Sequence, residues 1–378
     1  MNKLVLVGNG FDLAHGMKTA YNDFILWYIK KGFSEYLQSG KYSDELMDID
    51  SGNLRLFKSE LGNRSIAEYV DGFYEKDDLN KLLQNRRTRI TFGLNGDTRR
   101  RPEVPFKVRI KSTLLSKIID HCSISKWVEI ENLFYDELKL ILQDSNQSKQ
   151  EDVRKLNLSI KYIISQLELY LSSITIGSAA EYQTIFTNKV NTSDIVGLIS
   201  DPFYERYDTL VLNFNYTETV EKYIDKEQII YIHGELNNIS NPVIFGFGDE
   251  LDADYVRLEL SKTKDIFNYI KSFWYFKTSN YHNLIRFIQS NKFQVCILGH
   301  SCGLSDRTML NMIFEHENCI SIKIYYYEFP EGGNNYTELT QEISRHFKNK
   351  QTMRMKIVPF DKSSPMPQHQ KLAQLQLD

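Results

Sequence analysis

The sequence predicts an α/β fold: a Rossmann-like, mostly parallel sheet with helices on both faces and a large helical insertion. Three observations predict it. Short runs rich in valine and isoleucine lack polar alternation, as strands covered on both faces do. Helical stretches separate most of those runs. Several runs end in glycine, asparagine or histidine, and strand ends are where an open α/β sheet carries its ligands.

The first strand is Lys3–Val7 (KLVLV), and it runs into GNGFDLAHG, Gly8 to Gly16. A helix over Thr19–Lys31 follows, with Tyr21, Phe24, Ile25 and Tyr28 on one side. The second strand is Thr209–Phe214, the third Ile229–His233, and a further one Val243–Phe247. Gln294–Leu298 and Ile320–Tyr326 complete the set. Helices are predicted over Glu218–Asp225 and Ser305–Glu317. Between the first two strands the pattern is mainly helical, with apolar residues spaced by three and four over Leu114–Leu142 and Val153–Ser172. The expected organisation is a nucleotide-binding core from 1–31 plus 205–350, a helical insertion or cap over 32–204, and a tail over 351–378. A second, smaller helical insertion lies between Asp252 and Asn291. Beyond about Pro359 the Gln-, Ser- and Pro-rich tail reads as disordered or peripheral.

Composition narrows the function classes. The 378 residues are 42% hydrophobic and 25% charged, as in an ordinary globular protein, and 23 Tyr and 22 Phe supply a sizeable core. A net charge of −3 gives no general attraction to nucleic acid or membrane. The four cysteines, Cys122, Cys296, Cys302 and Cys319, form no CxxC pair, which disfavours a zinc knuckle and suits a reducing cytoplasm. No HxH or HExxH ligand set is present, and no metal is expected. The early apolar run is too short for a signal segment or a membrane span. Arg86 to Lys111 holds nine basic residues against Asp97 and Glu103. It reads as a solvated loop, a polyphosphate or nucleic-acid contact, or an oligomer contact.

The strand ends carry the chemistry. A strand entering a glycine-rich turn and then a helix lets backbone amides approach a phosphate. Gly8, Asn9, Gly10, Phe11, Asp12 and His15 are therefore candidate binding residues, the alternative being a structural turn capped by Asp12. Asn213 and Asn215 end the second strand, where an unpartnered amide would be costly to bury. His233 precedes Gly234 at the end of the third and faces either a cleft or a core hydrogen bond. LGHSCGLSD brings Gly299, His300 and Ser301 to another strand end, with Asp306 opening a helix. All would share one edge of a parallel sheet, in a nucleotide-sized cleft.

Six dispersed segments carry a resemblance. GNGFDLAHG, WVEIE (Trp127–Glu131), NFNYTETVE, IHGE, IFGFGDE and LGHSCGLSD occur in the order seen in the AbiH family of bacterial abortive-infection proteins. The chain resembles that family over about residues 1–330. More remotely it resembles the sirtuin-like NAD-consuming domains of phage defence. That likeness implies a diphosphate at Gly8 and Gly10, a ribose at Asn215, a catalytic base at His233, and a second ribose near Gly299 and Ser301. Thr217 stands where those domains have aspartate, and Asn9 where alanine is usual.

The implied activity is hydrolysis of NAD⁺ to nicotinamide and ADP-ribose, with NAD as substrate or ligand. His233 would accept a ribose-hydroxyl proton and Asn215 would hold the ribose or the water. Glu129 and Glu131 would add negative charge near the developing cation. Missing zinc cysteines disfavour a deacylase. Two other functions stay open: a non-catalytic NAD, ADP-ribose or nucleotide sensor, and a nucleic-acid effector using the basic segment. A phage-derived trigger and a homo-oligomer are the remaining partner expectations.

Overall fold

The computed structural model describes residues 1–50, 52–83, 104–125, 129–144, 149–177, 182–197 and 207–368. The chain divides into two compact units. One comprises Met1–Thr19, Leu171–Ser261 and the chain from Tyr269 onward; the other comprises Ala20–Tyr170 and Lys262–Asn268.

The first unit is built on six parallel strands: β1 (Asn2–Val7), β2 (Thr209–Asn213), β3 (Ile229–Tyr231), β4 (Phe293–Leu298), β5 (Cys319–Tyr326) and β6 (Ser364–Pro365). Their order across the sheet is β3-β2-β1-β4-β5-β6. This is the doubly wound order of a Rossmann fold, with its switch point between β1 and β4. The residue pattern explains both covered faces. Leu4 and Leu6 of β1 face one layer with Leu212, Val295 and Ile297, under helices Asn280–Ser290 and Arg307–Glu315. Val5 and Val7 face the other with Val211, Cys296 and Leu298, against Phe11, Tyr182 and Phe186. Both faces are apolar, so the strands read as continuous runs.

Register sets the working edge. Val7 pairs with Asn213 on one side and Leu298 on the other, and Asn213 pairs with Tyr231. The next residues of all four strands therefore leave the sheet at one edge: Gly8, Phe214, Ile232 and Gly299.

The second unit holds helices Tyr21–Ser39, Leu54–Leu61, Ile66–Tyr74, Leu79–Leu83, Thr113–Ser125 and Ile130–Gln143, plus most of Lys149–Ser172. It also has an antiparallel sheet of Tyr42–Ser43, Met47–Asp50 and Lys107–Ile110. That sheet was not anticipated in the mainly helical reading; strands of two to four residues leave no periodic trace. Helix Tyr21–Ser39 belongs to this unit, with Gly32 against Met47 and Tyr42, so the first boundary falls at Thr19 rather than after residue 31.

Three other expectations change. Val243–Phe247 forms no sheet strand: Ile244 donates its amide to the His233 carbonyl and Phe247 to that of Tyr269. Glu218–Asp225 forms only a 3-10 turn at Thr219–Lys222. The tail is structured to residue 368, with helix Lys350–Lys356, strand β6 and a buried Met366. Met366 joins the buried cluster that includes Phe11 and Tyr182, which composition does not reveal. Residues 86–103 of the basic segment lie outside the described residues. At its described end Arg109 Nε and Lys111 Nζ both bind Asp48, at 2.9 Å. Among the described residues no helix is long and apolar enough to cross a membrane.

Candidate functional site

The opening glycines serve loop-on-loop packing. Gly10 donates its amide to the Gly299 carbonyl at 2.8 Å, and Gly8 donates to Leu298 O at 3.2 Å. A Cβ at Gly8 would lie 2.6 Å from the Cα of His300. The β1 and β4 loops are thus zipped together at the switch point. This corrects the expected role of Gly8 and Gly10 as phosphate donors, since both amides are engaged.

The rest of that loop turns inward. Phe11 is fully buried between the rings of His15 and Tyr182. His15 bonds the Phe11 carbonyl through Nδ1 and the Tyr223 hydroxyl through Nε2, each at 2.7 Å. Both ring nitrogens are engaged in the core, so Phe11 and His15 present nothing to a ligand. Asn9 accepts from the Thr19 hydroxyl. Asp12 is 1% exposed; its Oδ2 accepts from Thr217 at 2.6 Å, and its buried Oδ1 has no hydrogen bond. Burial raises its pKa to about 6, against the opposing pull of Thr217, Thr219 and Asn215.

The two asparagines organise the end of β2. Asn213 Oδ1 accepts the amide of Asn215 at 3.1 Å, and its Nδ2 donates to Thr217 O at 3.3 Å. Asn215 Nδ2 donates to the Gly8 carbonyl at 3.0 Å. That bond joins two segments 207 residues apart and ties the β2 end to the first loop.

A buried polar cluster lies on the β3 and β4 side. His233 Nε2 sits 3.1 Å from Asp306 Oδ1 and 3.2 Å from the Tyr275 hydroxyl. Lys271 is completely buried, and its ammonium lies 3.0 Å from the same Asp306 oxygen. His300 Nε2 is 3.8 Å from the other carboxylate oxygen. Asp306 precedes helix Arg307–Glu315 but makes no side-chain capping bond. Its carboxylate turns into the cluster instead. Burial alone would raise its pKa, but Lys271 first and then His233 reverse this and hold it well below the usual carboxylate range.

An ionised carboxylate only accepts hydrogen bonds. His233 therefore donates from Nε2 to the Asp306 carboxylate. His300 is fixed separately: its Nδ1 accepts the Cys302 amide at 2.9 Å. Burial pushes its pKa down to about 4, with Asp306 opposing and His233, His346 and Lys271 reinforcing. Phe214 packs edge-on to both rings, with centroids 5.1 Å from His233 and 4.1 Å from His300. It links the end of β2 to the cluster.

The structure thus brings together His233 and Asp306, with Asn213 and Asn215 on the adjoining strand end and Gly8, Gly10 and Gly299 between. Ser301 is exposed. Glu129 and Glu131 belong to the other unit, and Trp127 lies outside the described residues. Lys271 and Tyr275 escaped sequence reasoning. The signal was a lone lysine inside the aromatic run FNYIKSFWYF; a charge flanked that way needs a buried partner. Among the described residues no group of three or more His, Cys, Asp or Glu side chains is arranged to hold a metal ion.

A family model described as Bacteriophage abortive infection AbiH matches residues 4–328. No curated protein and no solved structure matches the chain.

Proposed function

The chain belongs to the AbiH family of bacteriophage abortive infection proteins and acts in antiphage defence, and on that premise we propose that it hydrolyses NAD⁺ in the cytoplasm of the infected cell. One observation carries this reading. His233 Nε2 lies 3.1 Å from Asp306 Oδ1, the carboxylate–imidazole pairing that orients a general base, at the ligand-bearing edge of a Rossmann-order sheet.

In the proposed reaction water adds at the ribose carbon as the glycosidic bond breaks. The products are nicotinamide, ADP-ribose and one proton. Nicotinamide departs readily because its ring nitrogen is positively charged in NAD⁺. His233 Nδ1 accepts a proton from a ribose hydroxyl or the attacking water, a role suited to an imidazole near neutral pH. Asp306 stabilises the imidazolium that forms. Asn215, tied to the Gly8 carbonyl, positions the sugar. The engaged amides of Gly8 and Gly10 do not fit a diphosphate, which must contact other donors.

The test is incubation of purified protein with NAD⁺, with nicotinamide and ADP-ribose quantified by mass spectrometry, alongside induced cells challenged with phage. Nicotinamide release that disappears in His233→Ala supports the reading. Thermal stabilisation by NAD⁺ with no product would replace the enzyme with a sensor.

A further inference from the structure

We infer that Lys271 is a positioning residue: its ammonium, fixed on Asp306, keeps His233 a neutral base. The inference rests on the reading of His233 as the base, but its test needs no turnover.

The argument begins with burial. Lys271 has no exposed surface, and its ammonium and His233 Nε2 both contact Asp306 Oδ1, at 3.0 and 3.1 Å. A water-excluded cluster tolerates little net charge. Lys271 and Asp306 balance one another. A proton on His233 would then leave an excess positive charge within about 6 Å of the ammonium, a distance bounded by those two contacts. Without Lys271 the balance reverses, and a proton on His233 would neutralise Asp306.

The surrounding groups do not supply a substitute. Tyr275 meets His233 through its hydroxyl. His300 faces Asp306 from the β4 loop, and burial drives it to the neutral form. His346 is buried and donates through Nε2 to the Cys302 carbonyl; burial lowers its pKa too. Arg307 is paired with Asp249 at 3.3 Å. Glu342 acts on Cys302. Lys271 is the cation placed on Asp306 itself.

The backbone supports this placement. Lys271 follows the bridge between Phe247 and Ile270, and its amide donates to the Phe247 carbonyl at 2.9 Å. Gly248 lies against its side chain. The contact therefore does not depend on a flexible surface stem.

The experiment is an NMR titration of ¹³C-histidine-labelled full-length protein without nucleotide, with the His233 signal identified by its loss in His233→Gln. In Lys271→Met the His233 signal should titrate at least about one pH unit higher than in wild type, the shift expected for a charge at this distance at intermediate dielectric. Lys271→Arg should restore wild-type titration. An unchanged signal in folded Lys271→Met overturns the inference. If that variant does not fold, Asp306→Asn is compared with Lys271→Met/Asp306→Asn, which differ only in the lysine charge. An upward shift in the double variant supports the inference, and no shift overturns it. Should wild-type protein release no nicotinamide, the proposed reaction fails while this titration still decides the role of Lys271. If it does, the acidic limb of the rate profile should move to higher pH in Lys271→Met.

Discussion

Gly10 and Gly299 meet backbone to backbone, the amide of the first 2.8 Å from the carbonyl of the second. Gly299 has φ +72°, and a Cβ there would lie 2.2 Å from the amide nitrogen of Phe11. Gly299→Ala should therefore cost about 3 kcal/mol or more, combining left-handed strain with a backbone clash. Gly303→Ala, whose Cβ would meet only Ser301 Oγ at 3.7 Å, should be close to neutral. Urea unfolding of both variants checks the contrast; equal stabilities would contradict the zipped-loop geometry.

Asp12 predicts a pH signature. Its folded pKa is raised to about 6 by burial, so the folded state holds the proton more tightly than the unfolded state. Its contribution to stability is fully present below the unfolded carboxyl pKa and is lost as pH rises toward and through 6. Asp12→Asn should remove that loss. Relative to wild type, the variant should gain roughly 2 kcal/mol between pH 4 and pH 8. Thermal melts across that range measure it, and a pH-independent difference would refute the assignment.

Asp306 predicts the opposite sign. Its folded pKa is depressed by Lys271 and His233 despite burial, so its stabilisation is present above the unfolded carboxyl pKa and fades as pH falls below it. Asp306→Ala strands the Lys271 cation and should cost about 3–5 kcal/mol at neutral pH. The gap from wild type should narrow as pH falls below about 4. Denaturant titrations at several pH values follow it.

His15 separates scaffold from site. With both nitrogens engaged by Phe11 and Tyr223, His15→Phe should lower stability by about 2 kcal/mol through two lost hydrogen bonds. Nicotinamide release per folded molecule should remain. Loss of release at undiminished stability would return His15 to the binding residues.

Much of the sheet was legible before the structure. Lys3–Val7, Thr209–Phe214 and Gln294–Leu298 are apolar on both faces, and that alone marks buried parallel strands. Val243–Phe247 looks equally strand-like yet joins no sheet, because its amides bond to His233 and Tyr269 instead of a neighbouring strand. Hydrophobicity reports burial; it does not report which partner accepts the hydrogen bonds. The candidate site divides similarly. His233, Asn215 and Asp306 were recognisable from their places at strand and helix ends. Lys271 was not, since its counter-ion lies 35 residues away.

From its own chemistry the sequence determined that Gly8, Asn215, His233 and Gly299 would gather at one edge, because the parallel strands of one sheet all point their C-terminal ends the same way. Tertiary structure alone decided what each does there. The glycines close two loops on each other, His15 turns into the core, and a distant lysine meets Asp306. Such pairings depend on which buried polar atoms come within hydrogen-bonding reach after the chain folds, a distance that linear spacing does not contain.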